Sequence, residues 1–483
     1  MLARTVLGFL PAHVVPAAAA FAGVYVFTRL ATPAEYGLFA LVMSVAQMCQ
    51  SVLFYWIQVG ATRHIEGARR DGTLSALQAA VYRSHALTFA LFAGLYVLAL
   101  LVLPLESRVR DALWFVLLIV GLRSLVSVNQ AFHRGELKVA RFNTIECALA
   151  LVQLGLGVAL LMVTSWSRSG VMLASVIVAS MLVLSIDAPA VLRALRRPAS
   201  RSEMSTLLRF GLPLSMSFAL NYILAASDRL LVEYYLGSGA VGVYSVAYGL
   251  MERAVSSLFI AISLAAFPLA INAYEREGTE GATRQLRSNG KMLLAVTLPA
   301  CTLLICLNEQ LAAVMVGEAF RAEAQAIMPW VVVAALLAGF QIHFFDHAFH
   351  LARRTSLFVW TTGPAAIINI AANVILLPRL GLMGAVWATL AGYAASLCAS
   401  VVIGGRVLKV PLDLAETLRV LVACAVMGAV VWMAHVPGSV FGLVEACAWA
   451  AASYGGAALL LDIAGAREKL GARVRASLTR RSA

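Results

Sequence analysis

The feature that most limits what this chain can become is a series of long apolar runs, most of them about 20 residues or more, separated by short polar breaks. A helical run of that length matches the roughly 30 Å hydrocarbon core of a bilayer. Backbone N–H and C=O groups in hydrocarbon must be satisfied within the segment, so such runs fold as helices. The runs are continuous rather than alternating, which excludes a membrane β-barrel. Composition agrees: 61% of the 483 residues are hydrophobic and 13% are charged, against about 45–50% and about 25% in soluble domains. A soluble enzyme with one anchor is excluded.

Fourteen spans are predicted, near residues 5–29, 36–62, 84–104, 112–133, 143–164, 170–192, 209–227, 239–272, 290–308, 324–350, 356–377, 382–404, 417–436 and 440–462. The first is longer than a signal-peptide core of about 7–15 residues, so it is expected to stay as a span. The seven cysteines lie in apolar runs with no C-x-x-C pair. They read as small packing residues rather than a disulfide or metal framework.

Lys and Arg accumulate on cytoplasmic loops. With the N-terminus, the even-numbered loops and the C-terminus on one side, that side holds 28 of the 37 basic residues and the other holds 7. The remaining two, Arg123 and Arg253, sit inside spans. Both termini are therefore expected in the cytoplasm. This sidedness and anionic inner-leaflet lipid account for the net charge of +13, so no nucleic-acid partner is expected. No loop is long enough for a folded extramembrane domain. The break from Arg193 to Phe210, with five Arg and Pro198, suits an elbow lying on the surface, or a plain basic linker.

Three short matches recur in order. Gln130-Ala-Phe-His133 pairs with His347-Ala-Phe-His350 at an offset of 217, and Gly170-Val-Met-Leu-Ala174 with Gly381-Leu-Met-Gly-Ala385 at 211. Leu10-Pro11 pairs with Leu212-Pro213 at 202. They match spans 1, 4 and 6 with 7, 10 and 12, as expected for two six-helix lobes of the same membrane orientation. The predicted architecture is an all-α, polytopic integral membrane protein. It has an N-lobe over 1–200, a C-lobe over 201–410, spans 13 and 14 over 411–463, and a basic cytoplasmic tail over 464–483.

Phe27-Thr-Arg-Leu30 followed by Pro33-Ala-Glu-Tyr-Gly-Leu-Phe39 resembles the opening of Wzx-type polysaccharide flippases of the multidrug/oligosaccharidyl-lipid/polysaccharide (MOP) superfamily. Ser227-Asp-Arg-Leu230, Tyr235-Leu-Gly237 and Val241-Gly-Val-Tyr244 resemble that family's span 7 to 8 hairpin. Asn373 to Leu377 with Gly381-Leu-Met-Gly-Ala385 is similar to its span 11 to 12 hairpin. The more polar, Arg-rich opening of lipid II flippases has no match here. The resemblance covers the chain from end to end. It implies a carrier of polyprenyl-diphosphate-linked oligosaccharide in a bacterial inner membrane, working beside a polymerase and a chain-length regulator.

A charge at mid-membrane costs at least about 2.5–3.5 kcal/mol and normally faces a bundle interior or a wet cavity. Arg123 and Arg253 both fall near the middle of their spans. Ser127, Gln130 and Arg134 follow Arg123 at +4, +7 and +11, giving span 4 a polar face. Guanidinium forks on such a track suit a diphosphate or an acidic sugar; the structural alternative is local pairing or snorkelling. In span 10, His343, Asp346, His347 and His350 fall at i, i+3, i+4 and i+7 and are expected on one helical face, either proton-responsive or substrate-facing, or a structural polar face at the cytoplasmic mouth. With no third ligand on another span, no metal site is predicted. Arg29, Asp228 and Arg229 are candidates for an external gate or mark the headgroup boundary. Pro11, Pro16 and Pro213 are candidate hinges, because proline removes a helix hydrogen bond.

No nucleotide-binding motif is present, so direct ATP hydrolysis is not expected. The predicted mechanism is alternating access: two lobes rock about a cationic cavity, with no cofactor and with direction from membrane potential, H⁺ or Na⁺. Asp346 or Glu252 is the carboxylate to couple a proton. Two rivals are a multidrug or metabolite antiporter of the same superfamily, and a membrane polymerase or glycosyltransferase. The latter needs a larger external loop than any here.

Overall fold

The computed structural model describes residues 8–197 and 201–467, and among these every regular element is helical. Pro198 of the elbow and most of the basic tail lie outside the described residues. Among the described residues twelve helices are long and apolar enough to cross a membrane. One of them, Ser238–Cys306, is two helices joined at Gly278, whose φ of 63° breaks the helical path. The protein is a multi-pass membrane protein.

The first part of the chain forms α1 (Pro11–Leu30), α2 (Pro33–Leu53), α3 (Tyr55–Arg70), α4 (Leu74–Val102), α5 (Ser107–Leu113), α6 (Phe115–Gly135), α7 (Val139–Val163), α8 (Arg168–Leu195) and α9 (Arg201–Leu236). Thr32-Pro-Ala-Glu35 sets the start of α2. Thr32 accepts from the Glu35 N–H, Glu35 accepts from the Thr32 N–H at 2.9 Å, and Pro33 takes the first helical position. Span 2, expected as one helix over 36–62, is broken at Phe54. Beyond that residue the chain becomes amphipathic: Ile57, Ala61, Ile65 and Ala68 are buried at helical spacing while Arg63, Glu66, Arg69 and Arg70 are exposed. Tight connections follow α9 and a later helix, where Gly237 (φ 81°) and Gly381 (φ 58°) adopt a left-handed backbone that glycine takes without a Cβ penalty.

The second part continues with α10 (Ser238–Cys306), α11 (Asn308–Met315), α12 (Glu318–Phe340), a π-helical turn (Gln341–Phe345) and α13 (His347–Leu351). It ends with α14 (Phe358–Leu380), α15 (Leu382–Gly405), α16 (Leu414–Met433) and α17 (Val440–Leu460). The chain divides into two compact units, Met1–Ser245 and Val246–Ala483. In the first, α7 packs on α1 and α8, α6 on α2, α3 and α8, and α9 along α2 and α3. The seventh span, α9, thus packs within the first unit. In the second, α14 pairs with α15, α12 with α15, and α16 with α17.

The repeat reappears in how α6 and α13 end. Leu137 and Arg353 both have φ 57°. Lys138 N–H donates to His133 O and Arg354 N–H to Phe349 O, each at 2.9 Å, the bond that closes a Schellman-type cap. These caps are 216 positions apart, one fewer than the sequence match.

Candidate functional site

Inside the first unit is a cavity of about 400 Å³ walled by α2, α3, α6, α7 and α9. Arg123, Ser124, Ser127 and Arg134 come from α6, Gln47, Gln50 and Ser51 from α2, and Tyr55 and Gln58 from α3; Glu146 of α7 and Tyr222 of α9 complete its polar lining. Two guanidinium groups face one carboxylate, so the lining carries excess positive charge. Among the described residues Arg123 makes no ion pair within 4.0 Å, while Glu146 acts on it electrostatically. Such a charge is available to a ligand anion.

Along α6 the polar side chains take different places. Ser127 accepts from Gln50 Nε2 at 2.8 Å. Gln130 is buried behind the wall, where its Nε2 donates to Glu146 Oε1 at 2.9 Å and to Phe142 O at 3.2 Å. Gln130 therefore positions Glu146 rather than lining the cavity. Arg134 is exposed at the end of α6 and lies over the Phe142 ring.

Span 10 departs from its expected geometry. The π-helical turn at Gln341–Phe345 is closed by Asp346 N–H donating to Gln341 O, an i+5 to i bond of 2.9 Å. A π turn takes more residues per turn than an α turn, so His343 and His347 stay roughly in line while Asp346 is rotated away. Asp346 is buried and accepts from Ser400 at 2.7 Å and Gln341 at 3.2 Å. His343 stacks on Phe259, and His347 on Phe267 with ring centroids 4.3 Å apart. The four side chains do not form one polar face. Among the described residues no three His, Cys, Asp or Glu side chains converge as a metal site needs.

The other candidates fall elsewhere. Arg253 is exposed on α10, beside Glu252, which accepts from Ser256. Arg29 lies on its own helix, over the Tyr25 ring at 3.8 Å and bonded to Tyr25 O. Asp228 is buried and accepts from Tyr244 Oη at 2.7 Å, and Arg229 Nε donates to Ser245. Asp228 and Arg229 thus brace the α9–α10 hairpin. Pro11 opens α1 at its first position, where its missing N–H costs nothing, so it does not bend that helix. Pro16 lies within α1; Pro213 is in α9, but its side chain is outside those described.

The sequence model of polysaccharide biosynthesis proteins matches residues 26–325, well over half of the chain. The chain belongs to the polysaccharide biosynthesis protein family. The match includes every residue lining the cavity. No curated protein sequence matches the chain.

Solved structures place this family member in the MOP-superfamily fold. It is similar to the lipid II flippase MurJ in an inward-closed conformation, with TM-score 0.71 and 12% identity over 94% of this chain and 98% of that one. An inward-facing multidrug-resistance MATE transporter of the MOP superfamily aligns with TM-score 0.56 and 15% identity over 83% and 93%. A MOP-superfamily transporter from Pyrococcus furiosus gives TM-score 0.56 and 15% identity over 88% and 95%.

Sequence reasoning did not single out Gln47, Gln50, Tyr55, Gln58, Glu146 or Tyr222. A signal existed: three glutamines at i, i+3 and i+11 in one membrane run, and an acid in span 5.

Proposed function

We propose that this protein is a flippase carrying polyprenyl-diphosphate-linked oligosaccharide across the bacterial inner membrane by alternating access. Its product feeds the assembly of a surface polysaccharide: exopolysaccharide, capsule or O-antigen. The observation that carries the reading is the Arg123 cavity, a basic, amide-lined chamber in a membrane protein of the polysaccharide biosynthesis family. A planar guanidinium matches diphosphate oxygens bidentately. The carboxamides of Gln47, Gln50 and Gln58 offer donors and acceptors to sugar hydroxyls. The volume falls within the range of about 300–1,000 Å³ usual for ligand sites.

An inside-negative potential favours outward movement of an anion by about 2.3 kcal/mol per charge per 100 mV. A fixed cation in the cavity lowers the barrier to bringing that anion in, and proton exchange at Asp346 adds a second source of direction. A polymerase and a chain-length regulator are the expected downstream partners. The excess of arginine disfavours cationic drugs, the usual cargo of a multidrug antiporter.

The test is deletion of the gene followed by extraction of lipid-linked oligosaccharide. Accumulation of the lipid-linked unit on the cytoplasmic face, with loss of the surface polymer, is expected. Unchanged polymer export with no lipid-linked intermediate would overturn the assignment, and altered drug resistance alone would favour the antiporter.

A further inference from the structure

A second cavity, of about 320 Å³, lies where α4 and α7 begin and α6 and α8 end. Asp187 of α8 is its hub, accepting from His133 Nε2 at 3.0 Å and from Arg141 Nη2 at 2.6 Å. Tyr82 Oη donates to Asn129 Oδ1 at 2.9 Å. These bonds leave two buried nitrogens, His133 Nδ1 and Asn129 Nδ2, with no hydrogen-bond partner, although both side chains line the cavity. An unmet buried polar atom costs about 1–3 kcal/mol, so a ligand that supplies both missing partners is stabilised in this cavity. An amide nitrogen only donates, so the missing partner of Asn129 is an acceptor; neutral His133, with Nε2–H given to Asp187, can only accept through Nδ1 and calls for a hydroxyl donor.

Charge narrows the ligand further. Lys138, Arg141 and Arg193 line the cavity against Glu136 and Asp187, an excess of one positive charge with His133 neutral. Lys138 pairs with Glu136, and Arg141 with Asp187. Arg193 is exposed and donates through Nε to Pro189 O, its own helix. Along α8, Leu182, Ile186, Pro189 and Arg193 follow at helical spacing and make one stripe. Leu182 and Ile186 are exposed large hydrophobics, so the cavity wall continues as an apolar strip of the kind lipid covers. A ligand suited to both ends has anionic oxygens and an apolar body.

We infer that this cavity binds the phosphate of an anionic membrane lipid, whose chains run along the Leu182–Ile186 strip while Asn129, Arg141 and Arg193 hold the headgroup oxygens. The site stands apart from the Arg123 cavity and does not depend on what the protein transports.

The full chain purified in detergent should gain about 2 °C or more in Tm on adding phosphatidylglycerol, and much less on adding phosphatidylcholine, because a ligand specific to the folded state stabilises it. Asn129→Asp keeps the acceptor for Tyr82 and replaces the free donor by a carboxylate oxygen. Arg193→Gln removes an exposed charge held only by a backbone bond. Each should cut the phosphatidylglycerol shift by at least about half. Equal shifts with the two lipids, or a full shift in Arg193→Gln, would overturn the inference even if Asn129→Asp fails to fold. A third arm uses inorganic phosphate against chloride at equal ionic strength. If phosphate alone reproduces the whole effect, the ligand is a free anion and the lipid assignment falls.

Discussion

The hydroxyl of Ser400 donates a 2.7 Å hydrogen bond to Oδ1 of Asp346, tying α15 to the residue that follows the π-helical turn. The second oxygen of Asp346 accepts from Gln341, so both donors are neutral. Asp346 is 4% exposed and, among the described residues, makes no ion pair. A buried carboxylate without a cation is costly, and binding a proton removes that cost. Glu252, the other acid suggested by sequence, is exposed.

Asp346→Asn is therefore expected to fold, since an amide oxygen still accepts from Ser400, but to uncouple transport from protons. One pH unit across the membrane is worth about 1.4 kcal/mol per proton, about tenfold in accumulation. In proteoliposomes the variant should lose that response while keeping its response to an imposed potential. A variant as sensitive to the pH gradient as the parent would remove Asp346 from the coupling path.

Replacing Arg123 tests the cavity. A hydrogen bond to a charged group contributes about 1.5–3 kcal/mol, so Arg123→Ala should lower polymer export about 10- to 100-fold at normal membrane abundance. Arg123→Lys keeps the charge without the fork and should recover only part of it. Export assayed against immunoblotted membrane fractions decides this, and parental activity in Arg123→Ala would place the substrate elsewhere.

The spans were legible because the bilayer selects on the average of a window of about 20 residues, which local detail barely alters. Arg123 was legible for the opposite reason, as a lone charge in an apolar run. The same signal picked out Arg253, which is exposed on α10; one helix has several faces, and composition does not say which of them a charge occupies. The break at Phe54 and the π-helical turn at Gln341–Phe345 carry no proline or glycine; packing and the Asp346–Ser400 contact set them, and these depend on residues far away in sequence. The glutamines of the cavity went unread because a carboxamide in a membrane helix serves equally well between helices.

Close helix crossing supplies a stability test. A Cβ on Gly37 would lie 1.7 Å from Ser238 O, and one on Gly242 would lie 2.1 Å from Pro33 O. Backbone atoms cannot yield as a side chain does. Gly37→Ala should cost about 1–3 kcal/mol or more and lower Tm by several degrees, measured by thermal unfolding in detergent. Gly94→Ala, where nothing lies within 4 Å, is the control and should be neutral or slightly stabilising. Equal behaviour of the two variants would refute the crossing.

Acid should loosen the start of α16. Asp413 accepts from Lys291 Nζ at 3.0 Å and from the Glu416 N–H at 3.2 Å. The Lys291 contact, then the helix N–H, holds its carboxyl below the usual carboxylate value. A carboxyl depressed in the folded state stabilises that state fully above its unfolded value, about 4, and the contribution fades as pH falls through the lower folded value. Tm of the parent should therefore drop more steeply than that of Asp413→Asn between about pH 5 and pH 3. The asparagine still caps the helix but does not titrate, so the difference between the two slopes reports what the Asp413 charge contributes through Lys291 and the helix N–H. Parallel slopes would show that Asp413 is not linked to folding in this way.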